Sequence, residues 1–455
     1  MASRSRGWLC TKLWELGSCF TRLRKENQVH LESSMSMRDL IPVSLRVLPK
    51  DAVVLFVTRF TRLFAYGALS VILVFYLVSL GLTEAQVGLL LTLTLAGDIA
   101  ISLLLTTRAD RIGRRRMLIV GAVLMAGAGI AFASTTNLLF LIVAGTIGVI
   151  SPSGHEVGPF LSIEQAALSH VVPARSRTEV FAWYTLAGSL ATALGAFCGG
   201  AATGLVQKES LSISDSYRVV VLLYAALGVA LAFLFTRLSS SAEADLSATP
   251  ASEVSRRDFL GVGRSRSIVL KLSSLFALDS FGGGFVVQSF AAYWFYLRFG
   301  VPPVKLGLIF FWANVLAGIS ALLASRLATR IGLVRTMVVT HLPSNVLLLL
   351  VPLMPNLTLA VLVLLVRFSI SQMDVPTRQS YTMAVVRPEE RSAAGGITGV
   401  ARTAGAALSP IFAGFLFSRH ALIDIPFFIA GTLKIAYDLI LYLEFRAIRP
   451  PEEAD

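Results

Sequence analysis

Residues 106–116 read TTRADRIGRRR and form a short, strongly basic segment between two apolar runs. One acid, Asp110, precedes most of the arginines, and Gly113 is a residue type suited to a tight turn. Half a chain later, residues 325–335 read SRLATRIGLVR between two further apolar runs, and Gly332 stands in the place of Gly113. A loop that recurs at this spacing predicts a membrane protein built from two copies of one unit.

The composition supports a membrane protein. The chain has 455 residues, of which 55% are hydrophobic and only 15% are charged, and its mean hydropathy is +0.73. Soluble proteins carry about 25% charged residues, so this set is too poor in charge for a surface that faces water everywhere. Apolar runs of about 20 residues recur along the chain, and each is long enough to cross the hydrocarbon as a helix.

These runs predict an all-α membrane protein of twelve transmembrane helices in two pseudo-symmetric six-helix bundles. We expect the spans at residues 52–80, 85–106, 117–134, 138–171, 178–204, 217–237, 267–299, 304–328, 333–352, 358–386, 393–418 and 424–445. The fourth, seventh and tenth runs exceed one bilayer thickness, so they are expected to tilt or to extend beyond the membrane.

The order of the runs divides the chain into five parts. Residues 1–51 form a basic segment that is either a cytosolic tail or a targeting segment. Residues 52–237 form the first bundle, and residues 267–446 form the second. Residues 238–266, rich in Ser, Ala and charged side chains, form the linker between the bundles. Residues 447–455 form a short second tail.

Lysine and arginine predict the orientation. Roughly 29 of the 40 basic residues fall in the two tails and in alternate loops, which places both termini in the cytosol. The same distribution accounts for the net charge of +13 without a nucleic-acid partner. The sequence does not indicate which membrane holds the protein.

The sequence offers little sign of enzyme or cofactor chemistry. Cys10, Cys19 and Cys198 are too few and too scattered for a disulfide framework or a zinc site. No G-x-x-x-x-G-K-[ST] loop is present to bind ATP. We therefore predict no metal, no cofactor and no enzymatic activity, although the adjacent pair His155 and Glu156 keeps an integral membrane enzyme as the least favoured reading.

With twelve spans, two halves and this loop, the chain resembles the major facilitator superfamily over about residues 52–446. The loop of that superfamily between the second and third helices reads roughly G-x-x-x-D-R-x-G-R-R. Asp110, Arg111, Gly113, Arg114 and Arg115 match it here, while Thr106 replaces the leading glycine. The resemblance implies two bundles that rock around a central cavity lined by the first, fourth, seventh and tenth helices.

A cytosolic gate is expected at the loop. A carboxylate such as Asp110 suits the positive amino end of a facing helix, and the resemblance suggests the start of the eleventh helix, near Arg391–Ala394, as that partner. Arg111 and Arg114 are predicted to pair with a carboxylate at the end of the fourth helix, with Glu164 the nearest candidate. Such exposed pairs are worth only about 0–1 kcal/mol each, which suits a contact that breaks in every cycle. The alternative is a basic loop that only fixes the topology.

Ionisable side chains within spans are costly in hydrocarbon, so they are candidates for the substrate or proton pathway. The candidates are Arg59, Arg62, His155, Glu156, Glu164, Asp279, Asp374 and Arg378. Proton coupling needs a carboxyl group that is neutral in one state and charged in another, and Glu156 and Glu164 are the first choices, before Asp98 and Asp374. A fixed buried ion pair is the alternative for each.

The internal repeat suggests how these charges pair. Gly154, Gly158 and Pro159 allow an irregular fourth helix, whereas a regular helix would place Glu164 about 12 Å closer to the cytosol than Glu156. The repeat makes Glu164 and Arg378 symmetry mates of opposite sign, so they are expected to face each other across the cavity. It also places Asp279 at the depth of Arg59 and Arg62, with either of which it is expected to pair.

Three further polar residues are given a structural role. Lys434 and Asp438 are four apart in the last span and are expected on its rim. His341, on an otherwise apolar helix face, is expected to serve packing.

The resemblance implies a secondary active transporter of a small organic solute, working as a monomer in a lipid bilayer. The fifth helix resembles the G-x-x-x-G-P-x-x-G-G pattern of proton-coupled exporters, with Gly195, Gly199 and Gly200 in place and alanines at two other positions. This pattern favours proton-coupled antiport, whereas ordinary close helix packing explains the same small residues. A passive facilitator and a non-transporting receptor on the same scaffold stay open as alternatives.

Overall fold

The structure, a computed structural model, describes residues 48–156, 158–173, 177–208, 212–243, 263, 265–387 and 390–448. Most of the segment 1–51 and of the linker predicted over 238–266 lies outside these ranges, as does most of the tail 447–455. The division of the chain at those boundaries stays a prediction. Within the described ranges the regular structure is helical.

The α-helices are, in chain order, α1 (Lys50–Ser79), α2 (Glu84–Ile112), α3 (Arg114–Ser134), α4 (Leu138–Ile147), α5 (Phe160–Val171), α6 (Arg177–Lys208), α7 (Ile213–Phe235), α8 (Arg266–Gly284), α9 (Gln288–Phe299), α10 (Pro303–Ile331), α11 (Leu333–Leu350), α12 (Leu357–Phe368), α13 (Asp374–Ala384), α14 (Arg391–Phe417) and α15 (Ile425–Phe445). Short 3₁₀ turns occupy Ser240–Ala242, Val351–Leu353 and His420–Leu422.

These helices confirm the twelve-span fold. Ten segments of the described chain are long and apolar enough to cross a membrane, and α4 and α12 are shorter apolar helices. The fourth span consists of α4 and α5, the seventh of α8 and α9, and the tenth of α12 and α13. We refer to α1–α7 as the first half and to α8–α15 as the second half.

The three long runs are broken helices rather than tilted or extended ones. The fourth span loses helical structure between Ile147 and Phe160, where Gly154 and Gly158 have φ of 72° and 80° and Pro159 precedes α5. Backbone in these left-handed conformations cannot continue a right-handed helix. The extra length of the fourth run is therefore used by an irregular segment, which we name the span-4 break (residues 148–159).

The packing of the helices repeats between the halves. In the first half α1 packs on α6 and α3 packs on α7; in the second half α8 packs on α14 and α11 packs on α15. Across the halves α2 packs on α14, and α6 packs on α10. Each contact has a counterpart at the equivalent helices of the other half, as two parallel repeats require.

The two turns that resemble each other in sequence have the same backbone. Gly113 joins α2 to α3 with φ of 116°, and Gly332 joins α10 to α11 with φ of 85°. Both values are strained for a residue with a side chain, so the repeat preserves glycine where the chain reverses between two spans.

One end of the helical bundle carries most of the charged helix ends, and we name it the basic face. The helix ends at this face are Lys50, Ile112, Arg114, Val171, Arg177, Phe235, Arg266, Ile331, Leu333, Ala384, Arg391 and Phe445. The ends at the other side of the bundle form the opposite face, and the remaining helix ends lie at the breaks within the fourth, seventh and tenth spans.

The halves meet toward the opposite face. There a Cβ placed on Gly414 would lie 2.4 Å from the backbone oxygen of Glu84, and one on Gly200 would lie 2.6 Å from that of Pro303. Tyr293 of α9 also donates to the Glu84 carboxylate at 2.7 Å. Because only glycine fits at such crossings, these contacts explain several small residues of the fifth and eleventh spans.

The halves part toward the basic face. Among the described residues, the hydrogen bonds between the halves lie in the middle of the helices or nearer the opposite face. A Cβ placed on Gly396 or Gly399, near the start of α14, would meet no heavy atom within 4 Å. The gap between the halves is thus closed at the opposite face and open at the basic face.

Candidate functional site

Arg62 is the centre of a charge network in the first half. This α1 side chain is fully buried, and its two terminal nitrogens donate to the two carboxylate oxygens of Glu164, both at 2.7 Å. The same guanidinium lies 3.1 Å from the Glu156 carboxylate. One guanidinium therefore pairs with two carboxylates. Its two-point pairing with Glu164 is of a kind that ranks among the stronger ionic contacts in proteins.

The two acids differ in their surroundings. Glu164, at 0% exposure, also accepts hydrogen bonds from Thr58 at 3.0 Å and from the Tyr184 hydroxyl. The Glu156 side chain is 17% exposed and pairs with Arg59 at 2.7 Å as well as with Arg62. Glu164 is therefore enclosed by its partners, whereas part of the Glu156 side chain stays exposed.

The predicted separation of Glu156 and Glu164 along one helix is wrong. Glu156 belongs to the span-4 break, whereas Glu164 lies in the first turns of α5. Because the chain turns through Gly154 and Gly158 in this segment, both carboxylates reach the guanidinium of Arg62.

A second network occupies the equivalent part of the second half. Asp279 of α8 lies 2.5 Å from the Lys434 ammonium and 3.1 Å from the Arg378 guanidinium. Arg378 also pairs at 3.3 Å with Asp374, one turn before it on α13. All four side chains are buried, with exposures from 3% to 8%.

Residues of α11 and α15 extend this second network. His341 Nδ1 lies 2.8 Å from Asp438, and Asn345 donates to the other oxygen of the same carboxylate at 2.8 Å. His341 Nε2 is 3.8 Å from Asp279, so the ring stands between two acids.

The rim position expected for Lys434 and Asp438 is therefore wrong, and His341, expected to serve packing, also contacts the Asp438 carboxylate. Asp438 is fully buried and Lys434 is 8% exposed, so both lie in the core rather than on the rim. The sequence signal for their burial was the presence of two ionisable residues four apart within an apolar span. Ionisable groups inside a membrane need partners, which are found in the core of the bundle.

The pairs expected across the gap do not form in this structure. Glu164 pairs with Arg62 rather than with Arg378, and Asp279 pairs with Arg378 and Lys434 rather than with an arginine of α1. The charges of these two networks are thus paired within their own half. Because the halves must separate in an alternating-access cycle, internal pairing avoids leaving a bare charge in low dielectric at each opening.

Two further polar residues lie in or beside the span-4 break. His155 is exposed, and its backbone carbonyl accepts from the Ser151 hydroxyl at 2.7 Å. Asp98 of α2 is 5% exposed, and its carboxylate accepts from the Ser102 hydroxyl at 3.5 Å and from the backbone N–H of Gly158 in the break.

The proposed gate loop is held by the start of the linker. The side chains of Asp110 and Arg111 lie outside the described residues. The backbone N–H groups of Arg114 and Arg115, at the amino end of α3, donate to the Glu243 carboxylate at 2.5 and 3.2 Å. A carboxylate at this position neutralises the positive end of the helix dipole. Glu243 thus binds the described part of this loop, whereas Glu164 lies with Arg62.

The described residues contain no group of three or more His, Cys, Asp or Glu side chains placed to hold a metal ion. The two networks described above are made of ion pairs and hydrogen bonds between protein groups.

The family of the chain follows from comparison with known proteins. A family model described as "Major Facilitator Superfamily" matches residues 55–410 and 280–455. The chain belongs to the Major Facilitator Superfamily. It is an integral, multi-pass membrane protein and a transporter rather than an enzyme.

Individual proteins similar to the chain support this assignment. The uncharacterized membrane protein YJR124C of Saccharomyces cerevisiae is 31% identical over 432 residues, which cover 89% of this chain and 96% of the yeast protein. The crystal structure of a D-xylose–proton symporter has a TM-score of 0.69 at 15% identity and covers 89% of this chain and 99% of its own. That of a human organic anion transporter has a TM-score of 0.60 at 18% identity and covers 88% of this chain and 100% of its own. At these identities the structural likeness shows the fold alone.

Proposed function

We propose that the protein moves a small organic solute by alternating access and that it couples this movement to protons. The observation that carries the proposal is the position of Glu156. This carboxyl group lies in a broken span, is partly exposed, and shares Arg62 with a second acid. Protonation of Glu156 removes one of the two negative charges paired with Arg62 and leaves the Arg62–Glu164 ion pair intact.

The span-4 break links Glu156 to the other half. The backbone N–H of Ser289, in the first turn of α9, donates to the carbonyl oxygen of Pro152 at 3.2 Å, and the Ser289 hydroxyl donates to the same oxygen. Next to it, Gln288 donates to Ser70 of α1 at 2.7 Å. The broken parts of the fourth and seventh spans therefore touch. Loss of the Glu156 charge would weaken the attachment of the span-4 break to Arg59 and Arg62. The same segment accepts the Ser289 hydrogen bonds that join the two halves.

The orientation completes the proposal. If the basic face is cytosolic, as the distribution of lysine and arginine predicts, the structure represents the state open to the cytosol. Proton release and binding at Glu156 then occur from the cytosolic side in this state. We further propose that the monomer is the working unit, because the described gap is lined by the two halves of one chain.

The comparisons bear on coupling without fixing its direction. The D-xylose–proton symporter shares the fold, so coupling to protons is compatible with this scaffold. The glycines of the fifth span are explained by contacts, since a Cβ on Gly195 or Gly199 would lie 2.0 or 2.5 Å from backbone oxygens of α1. The exporter-like pattern is therefore not needed to explain them, and we propose proton coupling without assigning symport or antiport.

The test is a solute-library assay in proteoliposomes that contain a pH-sensitive dye. We expect at least one solute to drive a change in lumenal pH, with a sign that distinguishes symport from antiport. Glu156→Gln should abolish the pH change and retain solute exchange, because exchange needs no net proton movement. The matched control is Glu444→Gln, which removes an exposed acid paired with Lys271.

Two outcomes would contradict this proposal. Solute uptake that is unchanged after the proton gradient is collapsed would identify a passive facilitator. Retention of the pH change in Glu156→Gln would exclude Glu156 as the coupling group.

A further inference from the structure

Most arginines in the middle of the spans are already neutralised. Arg59 and Arg62 pair with Glu156 and Glu164 in the first half, and Arg378 pairs with Asp279 and Asp374 in the second half. A negatively charged ligand would have to compete with these carboxylates for the same guanidinium groups.

Two arginines of the second half differ from the others. Arg367 and Arg402 have no carboxylate within 4.0 Å among the described residues, and the Nε atom of each is buried without a hydrogen-bond partner. A buried guanidinium nitrogen without an acceptor is costly, so each of these sites lacks a negatively charged or polar group.

The surroundings of Arg402 place it beside the open part of the gap. Arg402 is half-buried and lies in the middle of α14, about 16 Å along the axis from the helix start at Arg391. Val400, two residues earlier and so on nearly the opposite side of the helix, is 38% exposed. Gly399, one turn from Arg402, has open space where a side chain would be.

Arg402 lies among charged residues of the second half. The charged neighbour with the largest effect on Arg402 is another cation, Arg378, and the acids Asp279 and Asp374 act on it more weakly. In the opposite direction, the charge of Arg402 acts on His155 in the span-4 break. The exposed His155 ring has no described hydrogen-bond partner, and it belongs to the part of the first half on which the Arg402 charge acts.

We propose that Arg402 binds a carboxylate group of the transported solute and that His155 provides a second hydrogen bond from the other half. The guanidinium fork matches the two oxygens of a carboxylate, and its planar donors favour such bidentate contacts. One guanidinium and one imidazole suit a single negative charge. The solute class is therefore a small organic carboxylate. That the bound carboxylate is also transported rests on the function proposed above.

This arrangement gives the ligand a part in closing the gap. A carboxylate held by Arg402 of α14 and by His155 of the span-4 break contacts both halves at once. Because a ligand shifts an equilibrium only through contacts that differ between states, bridging favours the state in which the basic face closes. The solute would thus promote the transition that carries it across.

The test measures binding rather than transport. Purified full-length protein in nanodiscs is titrated with benzoate, glutarate and sulfate, with uncharged benzamide for comparison, and the shift in unfolding temperature gives an apparent Kd. We expect benzoate or glutarate to stabilise the wild type and benzamide to have no effect. Arg402→Gln should weaken carboxylate binding at least about tenfold, as expected when a charge-assisted hydrogen bond is lost.

Further variants separate the site from a general effect of charge. Arg402→Lys keeps the charge without the fork and should bind with intermediate affinity, which also controls for misfolding of Arg402→Gln. Arg367→Gln removes the same charge from the same half and should bind as the wild type does. His155→Gln should weaken binding by a smaller factor than Arg402→Gln.

Three results would overturn the inference. They are the absence of stabilisation by any of the three anions, equal weakening in Arg402→Gln and Arg367→Gln, and stabilisation by sulfate alone, which would assign the site to inorganic oxyanions. Failure of the proposed function is distinguishable, because carboxylate binding without solute-dependent pH change in proteoliposomes would refute proton coupling and leave this site in place.

Discussion

Replacement of Arg62 by methionine is the most informative perturbation of the first network. Arg62→Met keeps a long side chain and removes the guanidinium that contacts Glu164 at two points and Glu156 at 3.1 Å. The pairs with Arg59 and the bonds from Thr58 remain, so the site passes from balanced charge to one excess negative charge. Removal of one partner from a buried ion pair costs about 3–5 kcal/mol, and we expect a loss of unfolding free energy in that range.

A second substitution tests the reason for that loss. The double variant Arg62→Met with Glu164→Gln restores the charge balance, since Arg59 and Glu156 still neutralise each other. If an uncompensated charge causes the loss, the double variant is more stable than Arg62→Met alone. The coupling between the two sites should then lie toward the upper end of the range of about 0.5–3 kcal/mol seen for residues in contact.

The assay is reversible unfolding in mixed micelles by titration with a denaturing detergent, followed by tryptophan fluorescence. Arg218→Met is the matched control, because Arg218 pairs with Asp215 at 3.1 Å while the two side chains are 40% and 44% exposed. This surface pair should contribute only about 0–1 kcal/mol. Equal losses in Arg62→Met and Arg218→Met, or simple additivity in the double variant, would refute the role assigned to the buried network.

Three other substitutions test separate parts of the structure. In Gly414→Leu the new side chain has no room, because a Cβ at this position would already lie 2.4 Å from a facing backbone oxygen. Cysteine-accessibility labelling should therefore show that the opposite face opens, whereas the control Gly396→Leu, at a position in open space, should leave labelling unchanged. Equal labelling of the two variants would contradict closure at the opposite face. Glu243→Ala removes the acceptor at the start of α3 and should cost about 0.5–2 kcal/mol in detergent unfolding, whereas an unchanged stability would contradict its capping role. Gly188→Ala would place a Cβ within 2.7 Å of the Arg59 guanidinium. This variant should lower the rate of solute-driven pH change in proteoliposomes. A wild-type rate would show that Arg59 can move without loss of function.

The sequence predicted the fold because the fold depends on properties that single residues carry. Apolar runs of membrane length defined the twelve spans, and the repeated loop defined the two halves. The turn glycines Gly113 and Gly332 confirm the repeat at the backbone level, since both have positive φ. The helix breaks were less visible, because an apolar run has the same composition whether its helix is continuous or interrupted.

The site was predicted only in part because pairing depends on three-dimensional neighbours. The sequence identified Glu156 and Glu164 as ionisable groups inside a span, but it did not show that one arginine reaches both. That contact depends on the turn through Gly154 and Gly158. The pairing expected between Glu164 and Arg378 followed from the repeat, which relates equivalent positions but does not bring them together.

The second network shows the same limit. Lys434, Asp438 and His341 were each considered alone, and a single polar residue near the end of a span is usually at the rim. Their burial becomes understandable only when Asp279 and Asn345 are placed beside them by the packing of α8, α11 and α15.

Distances between spin labels on the two halves test alternating access most directly. One pair of labels, at exposed positions Thr83 and Ser418, reports on the opposite face, and another, at exposed positions Thr107 and Arg391, reports on the basic face. Measurements by pulsed electron paramagnetic resonance in nanodiscs compare neutral with acidic pH, because the proposed coupling requires Glu156 to be protonated in one state of the cycle. We expect the Thr83–Ser418 distance to lengthen while the Thr107–Arg391 distance shortens. Two distances that stay fixed, or that change in the same direction, would contradict two halves rocking about a closed opposite face.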